Sequence, residues 1–357
     1  MNWHLFFEGD DYYASLRADI AAAKSFIGIE SYIFEDDEIG LEIMEALLRR
    51  AAQGLTVRII ADGVGSYAFP EESLFRMREG GIEFEIFRPV HFYSVFLPSN
   101  YRRSHRKLVV IDDRICYAGG MNISRNHSRR AVGHECWRDS MIRIEGPPAR
   151  DAMASFARMW RKVSRRRLFF SRPGRGLDSV RIIENTPRYR RIFRRIYRTS
   201  LLSARYKLWI ESAYFIPTLA VLRRLHNRAR AGVDVRLLVS EKSDVAMARY
   251  ASRAVYASLL KHGVRIFEIR GRFLHSKTLI VDDSMAIVGS ANLDHRSFLH
   301  DLELSMVLRR PDINHALSNQ FQLDVQDARE IHADEWADRP FAQKVMEKFC
   351  YLFRYYL

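Results

Sequence analysis

Two stretches decide the reading of this chain: SHRKLVVIDDRICYAGGMN at Ser104–Asn122 and LHSKTLIVDDSMAIVGSAN at Leu274–Asn292. In each, a histidine (His105, His275) precedes a lysine (Lys107, Lys277) by two residues, an aspartate (Asp112, Asp282) by seven and an asparagine (Asn122, Asn292) by seventeen. Residues two apart on a strand project from one face. Each His and Lys can therefore point at one ligand while Leu108 and Val110 turn the other way into packing. The paired aspartates read as a turn. The returning runs, ICYAGG and AIVGS, read as a second strand whose glycines allow a ligand to approach closely. Two such hairpins can face each other across a pseudo-twofold axis.

Outward from the motifs the repetition continues. KSFIGIESY (24–32) and YKLWIESAY (206–214) are strand-like, and each precedes an amphipathic helix: Ile43, Met44, Leu47, Leu48 and Ala51 share one face of the first, and Leu219, Leu222, Leu225 and Ala229 one face of the second. Each helix stops at a glycine, Gly54 or Gly232, before the β-branched runs LTVRIIADG and VDVRLLVSE. A second helix and strand follow in each half: 72–78 then 83–87, and 245–261 then 264–269. Further helices open the halves at 12–23 and at 189–201. The alternation predicts an α/β fold of two pseudo-symmetric units, each a mixed β-sheet flanked by helices, with the site at the interface between the halves. The predicted organisation is a first domain over 1–160, a basic linker or loop over 161–178 (RKVSRRRLFFSRPGRGLD), a second domain over 179–335 and an amphipathic tail over 336–357.

Composition narrows the partners. The 357 residues are 48% hydrophobic and 28% charged, enough to bury a large core, and carry a net charge of +14 that calls for an anionic partner. Three cysteines, Cys116, Cys136 and Cys350, suggest neither a disulfide framework nor a cysteine zinc site. No metal-binding motif occurs, so neither a metal nor another cofactor is expected. Residues 1–10 lack the apolar run of a signal peptide, and no later run approaches a membrane span.

The paired HxKxxxxD motifs, each followed by Gly-Gly or Gly-Ser and an Asn, resemble the phospholipase D superfamily. IESYIFEDDEIG from Ile29, ADGVGS from Ala61, WRDSMIRIEGP from Trp137 and ESAYFIP from Glu211 resemble, within it, the bacterial cardiolipin synthases that lack N-terminal membrane spans. The resemblance implies two phospholipase D-like domains and a metal-independent phosphatidyl transfer through a phosphohistidine. His105 would be the nucleophile and His275 the acid and base, with Lys107, Lys277, Asn122 and Asn292 around the phosphoryl oxygens and Gly120 and Ser290 beside them. Asp112 and Asp282 complete each catalytic motif but lie too far along the strand to attack the same atom, so they serve structure or orientation. Glu30, Glu211, Asp139 and Glu303 resemble carboxylates that bond the imidazoles. His127, His134, His295 and His300 read as polar loop residues.

The implied partner is an anionic phospholipid membrane bearing phosphatidylglycerol. A peripheral monomer on the cytoplasmic face of a bacterial inner membrane is the implied setting. Hydrolytic phospholipase D or nuclease activity is the alternative, but no helix-turn-helix, zinc-finger or RNA-binding signature supports nucleic acid as the partner. Phe92, Tyr93, Phe96 and Leu97 either line an acyl-chain entrance or lie under a loop. The stripe Phe341, Val345, Met346, Phe349, Leu352, Phe353 and Tyr356 suits an in-plane membrane helix or one docked on the core.

Overall fold

The computed structural model describes residues 1–90, 101–166 and 179–357. Phe92, Tyr93, Phe96, Leu97 and most of the 161–178 segment lie outside these. The first half supplies β1 (Asn2–Phe6), β2 (Phe26–Ser31), β3 (Thr56–Asp62), β4 (Glu83–Phe87), β5 (Leu108–Ile111), β6 (Ile115–Gly119) and β7 (Met141–Glu145). The second supplies β8 (Val180–Asn185), β9 (Lys207–Ser212), β10 (Asp234–Ser240), β11 (Arg265–Ile269), β12 (Lys277–Val281), β13 (Met285–Gly289), β14 (Glu303–Leu308) and β15 (Ala328–Ile331).

Two mixed sheets result, ordered β1-β7-β6-β5-β2-β3-β4 and β8-β14-β13-β12-β9-β10-β11-β15. The orders superimpose strand for strand, with β15 added antiparallel at one edge. β2, β3 and β4 run parallel, as crossover helices require, while the motif hairpins β5–β6 and β12–β13 are antiparallel. The helix Glu38–Ala52 begins where Asp37 accepts from the Ile39 and Gly40 amides. Gly54 and Gly232, after the helices that end at Ala52 and Arg230, have φ of 86° and 84°, which a side chain would strain.

The alternation of the motif strands decides where the core sits. Leu108 and Val110 face the other half and meet Ile280, Ala286, Val288, Leu304 and Met306 in one buried cluster. Val109 and Ile111 face outward beneath the helices Gly9–Ala22 and Glu38–Ala52. Two matching helices, Pro148–Ser164 after β7 and Pro311–Gln326 after β14, contribute Phe156, Trp160, Leu317 and Phe321 to the shared cluster. The halves are joined through common core, and Pro148–Ser164 runs four residues into the segment read as a linker.

Asp112 and Asp282 lie at the far ends of the motif strands with φ of 53° and 49°. Asp112 accepts from the backbone amides of Lys24, Ser25 and Phe26, at 2.6, 2.8 and 2.9 Å. Asp282 accepts from those of Arg205, Tyr206 and Lys207. Each pins the entry of the neighbouring strand, at the opposite end of its motif strand from the His and Lys.

Candidate active site

His105 and Lys107 come just before β5, and Lys277 opens β12 just after His275. All four line one cavity of about 230 Å³, together with Asn122, Asn292, Ser290, Tyr32, Tyr214 and Trp137. Each lysine ammonium donates to the carbonyl of its own histidine, Lys107 at 2.9 Å, which turns both toward the same space. The asparagines are held alike: the Oδ1 of Asn122 accepts from the Ile33 amide at 3.2 Å and that of Asn292 from the Tyr214 amide at 3.3 Å.

The orienting carboxylates cross between the halves. Asp139 of the first half sits 2.6 Å from Nδ1 of His275, and Glu303 of the second sits 3.6 Å from Nδ1 of His105. Backbone pairing enforces this. The amide of His275 donates to Arg138 and that of His105 to Leu302, so each histidine is tied to the residue beside its partner carboxylate. A Cβ on Gly120 would come within 2.1 Å of Asp139, so glycine is needed there for the carboxylate to pack. At the equivalent place Ser290 donates its hydroxyl to Glu303.

Glu30 and Glu211, expected on the imidazoles, are elsewhere. Glu30 accepts from Arg106 at 2.6 and 3.0 Å in a buried pair, and Glu211 accepts from Ser276 at 2.5 Å. On their strands they support residues 106 and 276, between each motif His and Lys. Their matched position in the repeat marks a shared place in the packing and not contact with a ring.

Electrostatics follow from burial. Desolvation, reinforced by the two lysines, holds both imidazoles well below the usual histidine range. Burial brings the Lys107 ammonium down to about 8 and that of Lys277 to about 7. It also raises Glu303 to about 8, with Asp301 adding to the effect. The cavity thus holds its charges at a cost that an anion between the lysines would lower.

Several contributors escaped the sequence reading. Tyr32 packs 4.2 Å from the His105 ring and lies under the Lys107 ammonium, and Trp137 packs 4.9 Å from the His275 ring. Tyr32 carried no signal in the repeat: Tyr214 corresponds to Ile33, since their amides bond the equivalent asparagines, and Ala213 stands where Tyr32 does. Asp301 stands 3.6 Å from Nε2 of His105 and pairs with Arg296. His127, read as a loop residue, is fully buried beside His275, with its Nε2 accepting from the Asn122 amide at 3.2 Å. In the second half Ser297 accepts the equivalent bond, so the repeat hid it. His295 is also buried, with Nδ1 facing the Ile216 carbonyl, whereas His134 is exposed.

Two triads, His127–Asp139–His275 and His105–Asp301–Glu303, have ligand atoms close enough to share a cation. Lys107 and Lys277 act on the histidines of these triads, and their positive charge opposes one.

The chain matches the family described as cardiolipin synthase, phospholipase D-like domain, over residues 16–160 and 197–325. It is 32% identical to a cardiolipin synthase of Geobacillus kaustophilus over 347 residues, covering 95% of this chain and 69% of that protein. It is also 32% identical to cardiolipin synthase 1 of Bacillus cereus, covering 96% of this chain and 70% of that protein. Among solved structures, phosphatidylserine synthase of Haemophilus influenzae superimposes with a TM-score of 0.75 at 14% identity, over 99% of this chain and 95% of that one. Duplicated motifs, matching sheets and a match over most of the sequence agree: the chain belongs to the cardiolipin synthase family of phospholipase D-like proteins.

Proposed function

We propose that the protein transfers a phosphatidyl group from one phosphatidylglycerol to the glycerol hydroxyl of another, giving cardiolipin and free glycerol. The observation that carries this is two His–Lys pairs and two asparagines on one cavity. Phosphodiester exchange needs a nucleophile, a proton donor and positive charge at the phosphoryl oxygens, and this set supplies all three. A ring nitrogen of His105 attacks phosphorus, the bond from phosphorus to the glycerol oxygen breaks, and His275 gives its proton to that oxygen. The second glycerol hydroxyl then loses its proton to His275 and attacks the phosphohistidine, releasing His105. Asp139 supports the imidazolium form of His275, and the entering phosphodiester anion offsets the burial that disfavours it. Lys107, Lys277, Asn122 and Asn292 clamp the phosphoryl oxygens.

Residues 1–160 and 179–335 serve as the two catalytic domains, and because one chain holds both motifs, a monomer suffices. The reading of 336–357 as a membrane contact is supported by the helix Phe341–Leu352, which buries Glu347 and Cys350 and exposes Phe341, Val345, Met346, Phe349 and Leu352. Tyr356 and Leu357, just beyond it, line the cavity, which supports passage of a lipid from this apolar face to the site. No helix among the described residues is long and apolar enough to cross a membrane. We place the protein peripherally on the cytoplasmic face of a bacterial inner membrane, where its net charge of +14 favours anionic lipid.

The test is incubation of purified protein with phosphatidylglycerol vesicles, and separately with plasmid DNA, both with chelator. Cardiolipin with stoichiometric glycerol supports the proposal. Phosphatidic acid alone, or nicked DNA, overturns it in favour of hydrolysis.

A further inference from the structure

Beside the catalytic cavity lies a second one of about 410 Å³, lined by Tyr101, Arg102, Arg296, His300, Tyr355 and Tyr356. Arg296 and Tyr356 line both, so the two cavities are contiguous. Arg190 and Arg194 stand behind its wall. Arg190 is held by neutral acceptors, Asn185 Oδ1 at 3.0 Å and the His300 carbonyl at 3.2 Å, and Arg194 by the Phe298 carbonyl at 2.9 Å. Of the carboxylates that act on Arg296, Asp301 is already engaged by Arg296 and the Arg103 amide, and Asp294 caps the Ser297 amide.

We propose that this second cavity binds the unreacting phosphodiester of the acceptor lipid, so that Arg102 and Arg296 select the acceptor by its charge as well as by its hydroxyl. The inference rests on the phosphatidyl transfer proposed above and adds the acceptor's recognition to it. In that reaction the attacking hydroxyl is joined through a glycerol to a phosphate of its own, which does not react. While the hydroxyl reaches the phosphohistidine, that phosphate must lie one glycerol away, and the contiguous basic cavity is where it falls. Guanidinium groups suit a phosphodiester by offering paired donors. Burial, with the positive charges of Arg190, Arg102, Arg296 and Arg194 beside it, holds His300 below the usual histidine range, so the cavity wall carries an excess of positive charge that an anion offsets.

The test compares two outcomes of one covalent intermediate. Short-chain phosphatidylglycerol is supplied with labelled glycerol, so that exchange into phosphatidylglycerol reports transfer to an acceptor without phosphate, and cardiolipin reports transfer to one with it. Arg102→Glu and Arg190→Gln with Arg194→Gln should each lower the ratio of cardiolipin to exchange by on the order of tenfold, through the Michaelis constant for the acceptor. Arg102 is exposed and its side chain makes no hydrogen bond among the described residues, so its variant tests the idea even if the Arg190 variant is unstable. An unchanged ratio, or exchange and cardiolipin falling together, overturns the inference. Exchange without cardiolipin in the unaltered protein would instead overturn the proposed function.

Discussion

Raising the pH should weaken phosphodiester binding steeply, because burial brings the two ammonium groups of the cavity to titrate near neutrality. Lys277 does so at about 7 and Lys107 at about 8. Binding an anion favours both charged forms, so above these values a proton must be taken up for each lysine as the ligand enters. Between about pH 6 and about pH 9, Lys277 passes roughly two units beyond its midpoint and Lys107 roughly one, so affinity falls about a thousandfold, or about 4 kcal/mol. Glu303, brought up to about 8 by burial and Asp301, loses its proton over the same range and adds a negative charge, so it acts in the same direction. The phosphodiester does not titrate there. Calorimetric titration of a monomeric short-chain phosphatidylglycerol into His105→Asn protein, in buffers of differing ionisation enthalpy, reads affinity and proton uptake together. Lys277→Met should make the dependence shallower. An affinity that is level across this range, or binding without proton uptake above neutrality, refutes the reasoning.

Asp112→Ala should lower thermal stability by about 1–3 kcal/mol, since three backbone amides lose their acceptor, while activity per folded molecule persists. Calorimetric unfolding with an active-site titration separates the two. Asp139→Asn should reduce kcat by about a hundredfold or more with little effect on KM, whereas Glu211→Gln should act mainly on stability; steady-state kinetics of both variants check the assignment. Arg103→Met leaves Asp62 buried without its ion-pair partner and should cost about 3–5 kcal/mol in denaturant unfolding, which the added change Asp62→Asn partly restores by removing the charge while keeping an acceptor for the Val64 and Ser104 amides. Phe349→Ser with Leu352→Ser should reduce flotation with anionic vesicles and leave turnover of a monomeric substrate intact.

Much of the fold was legible because its determinants are local. The period-two pattern of LVVI turns Leu108 and Val110 into packing on the face opposite Val109 and Ile111, and the structure does bury the two pairs in different clusters; that the first pair lies in the core shared between the halves is a fact of the tertiary fold. The predicted helix over 245–261 instead forms as two, Ala246–Arg253 and Tyr256–Lys261. What the sequence hid depends on tertiary register. Glu30 lies opposite Leu108 across β2 and β5, which directs it to Arg106 and away from the imidazole, and repetition alone does not encode that facing. His127 was hidden for the opposite reason: its counterpart is Ser297, so the repeat gave no sign of a role that a hydroxyl fills equally well by accepting one amide.

The crossed carboxylates explain why duplication here yields one site. In an uncrossed arrangement each half would orient its own histidine, and the two rings could drift apart without either losing its partner. With Asp139 on His275 and Glu303 facing His105, any displacement of the halves misorients both rings at once. The same strands that bring the carboxylates across also bury the shared core, through Ile142 and Ile144 of β7 and Leu304 and Met306 of β14. Stability of the interface and geometry of the site are therefore one property. The asymmetry within it, aspartate against glycine at Gly120 and glutamate against a hydroxyl at Ser290, gives the two histidines different environments: His275 is tightly bonded and enclosed by Trp137 and Phe273, while His105 is more loosely faced by its carboxylates. A ring that must form and break a bond to phosphorus benefits from the looser setting, and one that shuttles a proton benefits from a fixed partner. That difference supports His105 as the nucleophile and His275 as the acid and base on physical grounds separate from the resemblance.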